Sequence, residues 1–199
     1  MWAKEKFCRL NLIKKLLFFA ACFLFANNSF ADLQKEIINE LAGTRTLSFD
    51  FEQIIADKKE VGSCLVKYPL LMKCDYQNKK QKIIISNGKT VAIIKKKYKK
   101  IYLYPIKSTP LFYILRKEEI INLIRNNKPT KINSKIIEFK FIDSKNANLK
   151  LFFDKNSLRF KGWETKDAYS NNVVFLINNL KINDPILDDI FILPQEKDL

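Results

Sequence analysis

One apolar stretch, residues 102–124, constrains the fold, because most other patterned segments of the chain alternate with the period of a β-strand. Its sequence, YLYPIKSTPLFYILRKEEIINLI, predicts a short aromatic strand that ends at Pro105 and an apolar helix over 110–124. Thr109 before Pro110 is typical of a helix start, since its hydroxyl can accept a hydrogen bond from an exposed amide. The helix carries more large apolar side chains than a half-exposed helix presents to water. We therefore expect it to cover a sheet face as a lid.

The segment from Val61 to Tyr76 predicts a hairpin with two different faces. If the chain folds back at Pro69, the even-numbered positions share a face that carries no charge, while Ser63, Lys67, Lys73 and Asp75 lie on the other face. In this register Cys64 lies directly across from Cys74, with β-carbons about 4.5 Å apart, which a disulfide can accept. We predict a structural disulfide between them.

Residues 1–31 have the pattern of a cleaved signal peptide. Cations precede the apolar run 16–25, which is too short to cross a bilayer, and Ser29-Phe30-Ala31 offers small residues at the cleavage site. We expect export to the periplasm and a mature chain, residues 32–199, that forms a single domain. A lipoprotein signal that ends at Cys22 is the competing interpretation.

The net charge is +15, which is compatible with an anionic membrane surface, nucleic acid or an acidic polymer as partner. The densest cluster is Lys95–Lys97 with Lys99 and Lys100. It is either a solvated turn or a contact with an anionic lipid surface or an acidic partner. The export signal argues against nucleic acid.

Catalysis has little support in this sequence. There is no histidine, which excludes a histidine base, a Ser-His-Asp arrangement and a typical catalytic zinc site. Asp50 and Glu52 share one face of a predicted strand and could act as an acid–base pair, but in this position they are more typical of solvated charge. We predict a protein that is not an enzyme, with no catalytic residues, no metal and no cofactor.

The remaining strands follow one another at hairpin spacing, and Asn87-Gly88 is a strong hairpin turn. We predict an α+β fold that is mainly β: an incomplete antiparallel β-barrel or strongly curved sheet, with an N-terminal helix over 32–42 and the inserted helix as a lid. The apolar face of this sheet is either an ordinary core or a cavity for a hydrophobic ligand. The pattern alone leaves both open.

An ordered set of short motifs runs from Arg45 to Pro194. In this order they resemble the outer-membrane lipoprotein carrier proteins, which are LolA-like, and in particular the alphaproteobacterial form. The motifs are the strand with Phe49, Phe51 and Gln53, the hairpin 62–69, Ile85–Lys89, Tyr104-Pro105, Thr109–Leu111, Leu158, Gly162-Trp163, Asp167 and Phe191–Pro194.

The resemblance implies a periplasmic carrier that binds lipoprotein acyl chains in an apolar cavity and takes them from the inner to the outer membrane. A carrier or sensor of another lipid, a phospholipid or glycolipid, is the alternative. The implied partners are acylated lipoproteins, an inner-membrane ATP-binding-cassette releasing complex and an outer-membrane receptor, and we expect a monomer. Candidate cavity residues are Phe49, Phe51, Val66, Tyr68, Met72, Tyr76, Leu111, Phe112 and Leu115.

One departure from the family pattern concerns how the lid closes. The family usually has an arginine just before the hairpin proline, where it resembles a latch that hydrogen-bonds the closed lid. This chain has Tyr68 there. Lys67 is not a direct replacement, because the neighbouring strand residue points to the opposite face.

Overall fold

The computed structural model describes residues 29–142, 148–167 and 169–199. The chain divides into two compact units, residues 1–36 and 37–199. Of the first unit, residues 29–36 are described, and they form the first part of helix α1 (Ser29–Gly43). The predicted signal peptide therefore lies, up to residue 28, outside the described residues.

The described residues of the second unit form one open, curved antiparallel sheet. Its strand order is β6-β5-β4-β3-β2-β1-β11-β10-β9-β8-β7, so β6 and β7 are the edges. The predicted mainly-β fold with an incompletely closed sheet is confirmed. The strands are β1 (Thr46–Ile55), β2 (Lys58–Lys67), β3 (Leu71–Tyr76), β4 (Lys82–Asn87), β5 (Thr90–Lys95), β6 (Lys100–Pro105), β7 (Lys131–Ile132), β8 (Ile136–Ile142), β9 (Asn148–Asp154), β10 (Phe160–Lys166) and β11 (Asn172–Ile182).

Strand order explains why a helical segment is inserted midway along the chain. Sequential strands are neighbours throughout, except that β1 also pairs with β11 and that β6 and β7 lie at opposite edges. The connection between the two edges, residues 106–130, is called the inserted segment below. It contains helices α2 (Leu111–Ile114) and α3 (Lys117–Asn126).

The register of the hairpin β2–β3 agrees with the sequence pattern. Gly62 faces Tyr76, Cys64 faces Cys74 and Val66 faces Met72. Cys64 and Cys74 are joined by a disulfide bond with their Cα atoms 4.1 Å apart, and both are buried. The predicted turn at Asn87-Gly88 also joins β4 to β5.

Two details of the helices differ from the sequence prediction. The helix expected over 110–124 is two helices, which are separated at Leu115 and Arg116. The Thr109 hydroxyl does not cap a helix. It donates to the carbonyl of Ile106 at 2.9 Å, because the 3-10 turn at 106–108 places that carbonyl within its reach. The predicted N-terminal helix extends beyond its expected ends, over Ser29–Gly43.

Aromatic rings form a continuous row across one face of the sheet, called here the inner face. The ring of Phe51 stacks on Phe175 at 4.6 Å, and Phe175 stacks on Trp163 at 4.1 Å. The row continues in both directions through edge-to-face, tilted and stacked contacts, which favour ordered packing. Its further members are Tyr76, Phe160, Phe153, Phe139 and Phe141.

The opposite, outer face is covered over β4 and β5 by the end of the chain. Four buried residues, Ile83, Ile85, Ala92 and Ile94, pack there against Ile101, Leu193 and Leu199. Residues 184–199, called here the C-terminal segment, are also held by polar contacts. The ammonium of Lys67 binds the carboxylate of Asp188 at 2.6 Å, and the Thr46 hydroxyl donates to the carbonyl of Asp184 at 2.7 Å. The sequence pattern of the β2–β3 hairpin predicts that this outer face is in solvent, but the C-terminal segment covers part of it.

Gly62 lets strands and rings approach closely at the start of the aromatic row. A β-carbon at this position would lie 2.1 Å from the carbonyl oxygen of Asp75 and 2.7 Å from the ring of Phe51. Neither distance is physically possible for a real β-carbon, and the backbone oxygen has little freedom to move.

We predict that Gly62→Ala destabilises the protein by about 2 kcal/mol or more, because the β2–β3 ladder or the Phe51 ring must shift. Gly43→Ala is the matched control, since a β-carbon there meets nothing within 4 Å. Urea unfolding of both variants measures the difference. Equal unfolding midpoints for the two variants would contradict the close packing at Gly62.

Candidate functional site

A cavity of about 430 Å³ lies between the inner face and the beginning of the inserted segment. This volume is within the usual range for small-molecule sites, about 300 to 1,000 Å³. Most of its lining is apolar. The lining residues are Gln53, Ile55, Met72, Cys74, Tyr76, Ile84, Val91, Ile93, Tyr104, Ser108, Thr109, Pro110, Leu111, Ile114, Trp163, Thr165, Lys166, Asp167, Val173 and Phe175.

Cross-strand pairing places the sheet side of this lining. Met72, Cys74 and Tyr76 alternate along β3 and so point to the same face. Ile84 lies opposite Cys74, and Ile93 lies opposite Ile84. Because directly opposed residues of neighbouring strands share a face, these side chains form one continuous apolar wall.

The aromatic row forms the second wall of the cavity. Trp163 and Phe175 line it, and Tyr76 closes the row at the other end. The Tyr76 hydroxyl donates to Oε1 of Gln53 at 2.8 Å. This bond satisfies both polar groups, so the wall keeps its apolar character.

Tyr76 stays neutral at physiological pH. Burial raises the pKa of its phenol, and the nearby carboxylate of Glu60 raises it further. The ammonium of Lys82 lies 3.7 Å from the centre of the Tyr76 ring and pairs with Glu60. Burial lowers the pKa of Lys82, while its bond to Glu60 opposes that change. A small polar cluster therefore closes one end of the apolar wall.

The inserted segment supplies the cover of the cavity. Leu111 and Ile114 of α2 reach the lining, together with Ser108, Thr109 and Pro110 before the helix. Tyr104 of the edge strand β6 lines the cavity although it is 43% exposed. The cavity is therefore bounded on one side by an element at the open edge of the sheet.

Three of the nine predicted cavity residues, Met72, Tyr76 and Leu111, line this cavity. The others lie elsewhere. Phe49, Phe51 and Val66 are buried, with Phe51 in the aromatic row. Leu115 is buried between the two short helices. Phe112 lies under the guanidinium of Arg116, whose carbon is 4.8 Å from the ring centre.

Sequence reasoning missed the lining residues of the C-terminal half, which are Trp163, Thr165, Lys166, Asp167, Val173 and Phe175. Trp163 and Thr165 alternate along β10, and Val173 and Phe175 alternate along β11, on the buried side of each strand. What was lacking was the pairing of β1 with β11, which sets Gln53 opposite Phe175 and Ile55 opposite Val173. Local alternation identifies these residues as inward-facing but not as neighbours of β1.

Few polar contacts hold the inserted segment against the sheet at its middle. The backbone amide of Leu70 donates to the carbonyl of Leu115 at 2.9 Å. The carbonyl of Leu70 in turn accepts from the fully buried Ser86 hydroxyl at 2.6 Å. The β2–β3 turn is thus fixed to β4 on one side and to the break between α2 and α3 on the other.

Lys117 makes a second connection at the start of α3. Its ammonium donates to the carbonyls of Ala42 at 3.0 Å and Thr44 at 2.9 Å, at the end of α1. Carbonyls at a helix C-terminus lack intrahelical partners and carry partial negative charge, so a cation there is favourable. The lysine therefore joins the inserted segment to residues 42–44.

Tyr68 occupies the position where the resemblance implies an arginine. Burial raises the pKa of its phenol, and the carboxylate of Glu118 adds to the effect. The backbone amide of Tyr68 donates to the carbonyl of Arg45 at 2.9 Å. Tyr68 is therefore a neutral phenol at the position where the resemblance implies a cation.

The candidate carboxylate pair lies away from the cavity. Asp50 accepts from the Asn179 side chain at 2.7 Å, and Glu52 pairs with Lys59, both on the outer face. Within residues 29–142, 148–167 and 169–199, no group of three or more potential metal ligands is present. In the same ranges no helix has the length and hydropathy needed to span a membrane.

A comparison with solved structures returned matches at low sequence identity. A LolA superfamily protein from Nitrosomonas europaea has a TM-score of 0.40 and 10% identity, over 80% of this chain and 97% of that one. An outer membrane lipoprotein-sorting protein domain from Vibrio parahaemolyticus has a TM-score of 0.45 and 13% identity, over 78% and 94%. A chain of the MucA/MucB complex from Pseudomonas aeruginosa has a TM-score of 0.48 and 10% identity, over 83% and 62%.

A comparison with curated protein sequences found no significant match. The family model described as "Outer membrane lipoprotein carrier protein LolA" matches residues 42–193. This range begins at the end of α1 and includes every strand of the sheet and the whole inserted segment. The chain therefore belongs to the LolA family of outer membrane lipoprotein carrier proteins.

Proposed function

We propose that this protein is a periplasmic carrier that binds the acyl chains of lipoproteins in its cavity and takes them from the inner to the outer membrane. The observation that carries the proposal is the apolar cavity between the inner face and α2, in a chain of this family. Its wall of Met72, Ile84 and Ile93 and its aromatic row are apolar, and Lys166 and Asp167 are the charged residues of the lining. An alkyl chain is the ligand that such a surface favours.

The energetics of acyl transfer explain why a carrier is needed. Each methylene that leaves a bilayer for water costs about 0.8 kcal/mol, so a lipid anchor with two or three chains does not cross an aqueous space unaided. A cavity that buries the chains replaces the lost hydrocarbon environment. No chemical bond changes in this process, and we propose that the protein is not an enzyme.

The inserted segment is the part that can open. Its two ends are anchored to the sheet through Ile106 and Thr130, but its middle is joined to the rest of the protein by isolated contacts, Leu70 to Leu115 and Lys117 to residues 42–44, and not by a strand ladder. Its first helix has only four residues, so it has little stability apart from the contacts of Leu111 and Ile114. Breaking a few hydrogen bonds therefore exposes the cavity without disturbing the sheet.

The proposed cycle needs partners at both membranes. An inner-membrane ATP-binding-cassette complex would load acylated lipoproteins, so this chain itself needs no nucleotide or other cofactor. A receptor at the outer membrane would take the cargo. We propose that the carrier acts as a monomer, since one cavity with its own cover is complete within one chain.

Mass spectrometry of lipids bound to the protein purified from its own periplasm tests the cargo. We expect a protein or peptide with a diacylglyceryl cysteine at its N-terminus. Phospholipid or glycolipid alone would instead favour the alternative, a carrier or sensor of another lipid. A lipoprotein carries a polypeptide on its acyl chains, whereas a phospholipid or glycolipid does not, so the mass of the bound molecule distinguishes the two cargoes.

Filling the cavity should abolish lipoprotein release. We predict that Ile93→Trp, which places a large ring in the lining, reduces release of lipoproteins from spheroplasts at least about tenfold, while the protein remains folded. Ile142→Trp is the control, because Ile142 is 62% exposed on β8 and is not part of the lining. Normal release by Ile93→Trp would refute the assignment of this cavity to cargo.

Removing the lysine connection should loosen the inserted segment. We expect Lys117→Met, which keeps the length of the side chain, to increase hydrogen exchange in residues 111–126 by about tenfold, as loss of about 1.4 kcal/mol implies. Lys128→Met is the control, since Lys128 is exposed and lies beyond α3. Exchange that is unchanged in Lys117→Met would show that the lysine does not hold the segment closed.

A further inference from the structure

The positive charge of this chain is concentrated in one stretch. Between Asp75 and Glu118 there are twelve lysine or arginine residues and no aspartate or glutamate. The net charge of the whole chain is +15, so all other residues together contribute only +3 (15 minus 12). A lysine-rich composition that is even along the chain does not account for this distribution.

This stretch forms strands β4, β5 and β6, and five of its exposed cations lie around the edge strand β6 (Lys100–Pro105). Lys96, Lys97, Lys99 and Lys100 precede or begin the strand, and Lys107 follows it. All five are exposed, and within the part of the chain that the structure describes none of them forms an ion pair. Their charge is available to a partner.

Apolar and aromatic side chains lie between these cations. Leu103 is 61% exposed and Tyr98 is 52% exposed, and Tyr102 and Tyr104 are also exposed. The ammonium of Lys95 lies 4.9 Å from the centre of the Tyr102 ring, which holds that ring at the edge. Exposed aromatic residues between cations are typical of surfaces that lie at the boundary of a lipid bilayer, where rings enter the headgroup layer and ammonium groups contact phosphates.

We propose that the β6 edge, defined as residues 96–107, docks this protein on an anionic lipid surface. Charge complementarity selects the lipid: a cluster of unpaired lysines is attracted to acidic headgroups but not to zwitterionic ones. Tyrosine and leucine side chains at the middle of the strand give the contact an apolar component. An acidic polypeptide that pairs only with the main chain of the edge would leave Tyr98 and Leu103 without a role.

The β6 edge lies next to the cavity, so docking through this edge brings the cavity close to the lipid surface. Tyr104 belongs both to the β6 edge and to the cavity lining. The inserted segment begins at residue 106, directly after the strand, where the Ile106 amide donates to the carbonyl of Lys89 at 3.0 Å. A protein docked through this edge therefore presents its cavity to the bilayer on the side where the cover begins.

Sedimentation with vesicles tests the docking on the whole mature chain. We expect binding to vesicles of phosphatidylglycerol and phosphatidylcholine in equal parts, little binding to pure phosphatidylcholine, and loss of binding at high salt. Changing Lys96, Lys97, Lys100 and Lys107 to Gln should weaken binding about tenfold or more. The same four-charge change at the other edge of the sheet, at Lys128, Lys131, Lys135 and Lys140, should leave binding nearly unchanged.

A fluorescence measurement locates the contact directly. Leu103→Trp should show a blue-shifted emission when phosphatidylglycerol vesicles are added, because the indole enters the headgroup layer. Ile142→Trp is matched to it in exposure, 62% against 61%, and should show no shift.

Equal loss of binding in the two lysine variants, or equal shifts in the two tryptophan variants, would overturn the proposal in favour of diffuse attraction by net charge. Failure of the unmodified protein to bind phosphatidylglycerol vesicles would overturn it outright. The docking does not depend on which lipid the cavity carries. Retention of an acyl-chain probe by the Lys96, Lys97, Lys100 and Lys107 variant therefore separates failure of docking from failure of the proposed carrier function.

Discussion

The pairing of β1 with β11 is the contact on which the rest of this structure depends. All other strand pairs are neighbours in the sequence and need only a short turn. Bringing β11 against β1 joins the first and last strands of the sheet, so the strands from the middle of the chain, β6 and β7, become its edges. The connection between those edges must then pass across the open side of the sheet, which makes the inserted segment a cover by topology as well as by its apolar composition.

The two halves of the inner face have different roles as a result. From β8 to β10 large aromatic side chains such as Phe139 and Phe153 are fully buried and fill the space above the sheet. From β3 to β6 the wall is made of smaller side chains, among them Met72, Val91 and Ile93, and space remains above them. The aromatic row borders the cavity through Tyr76, Phe175 and Trp163, so side-chain size along the sheet separates the filled half of the interior from the half that keeps an open space.

Much of the fold could be predicted from local patterns, since alternation and turn chemistry specify hairpins. The register of Gly62 opposite Tyr76 and the turn at Asn87-Gly88 are of this kind. The division of the inserted segment into two helices was not predictable, because it depends on the Leu70 amide reaching the carbonyl of Leu115 across the molecule. The lining by Trp163 and Phe175 likewise depends on a contact between strands more than a hundred residues apart.

The C-terminal segment determines which wall of the cavity can move. It packs Leu193 and Leu199 against the outer face of β4 and β5, directly behind the wall that holds Ile84 and Ile93. Strands that are packed on both faces resist bending, whereas α2 is a helix of only four residues and has few stabilising contacts within itself. The cover therefore yields more easily than the sheet. Under the proposed function, a cargo larger than the resting cavity displaces α2 and leaves the curvature of the sheet unchanged, so the distance that the cover moves sets the length of acyl chain that the protein accepts.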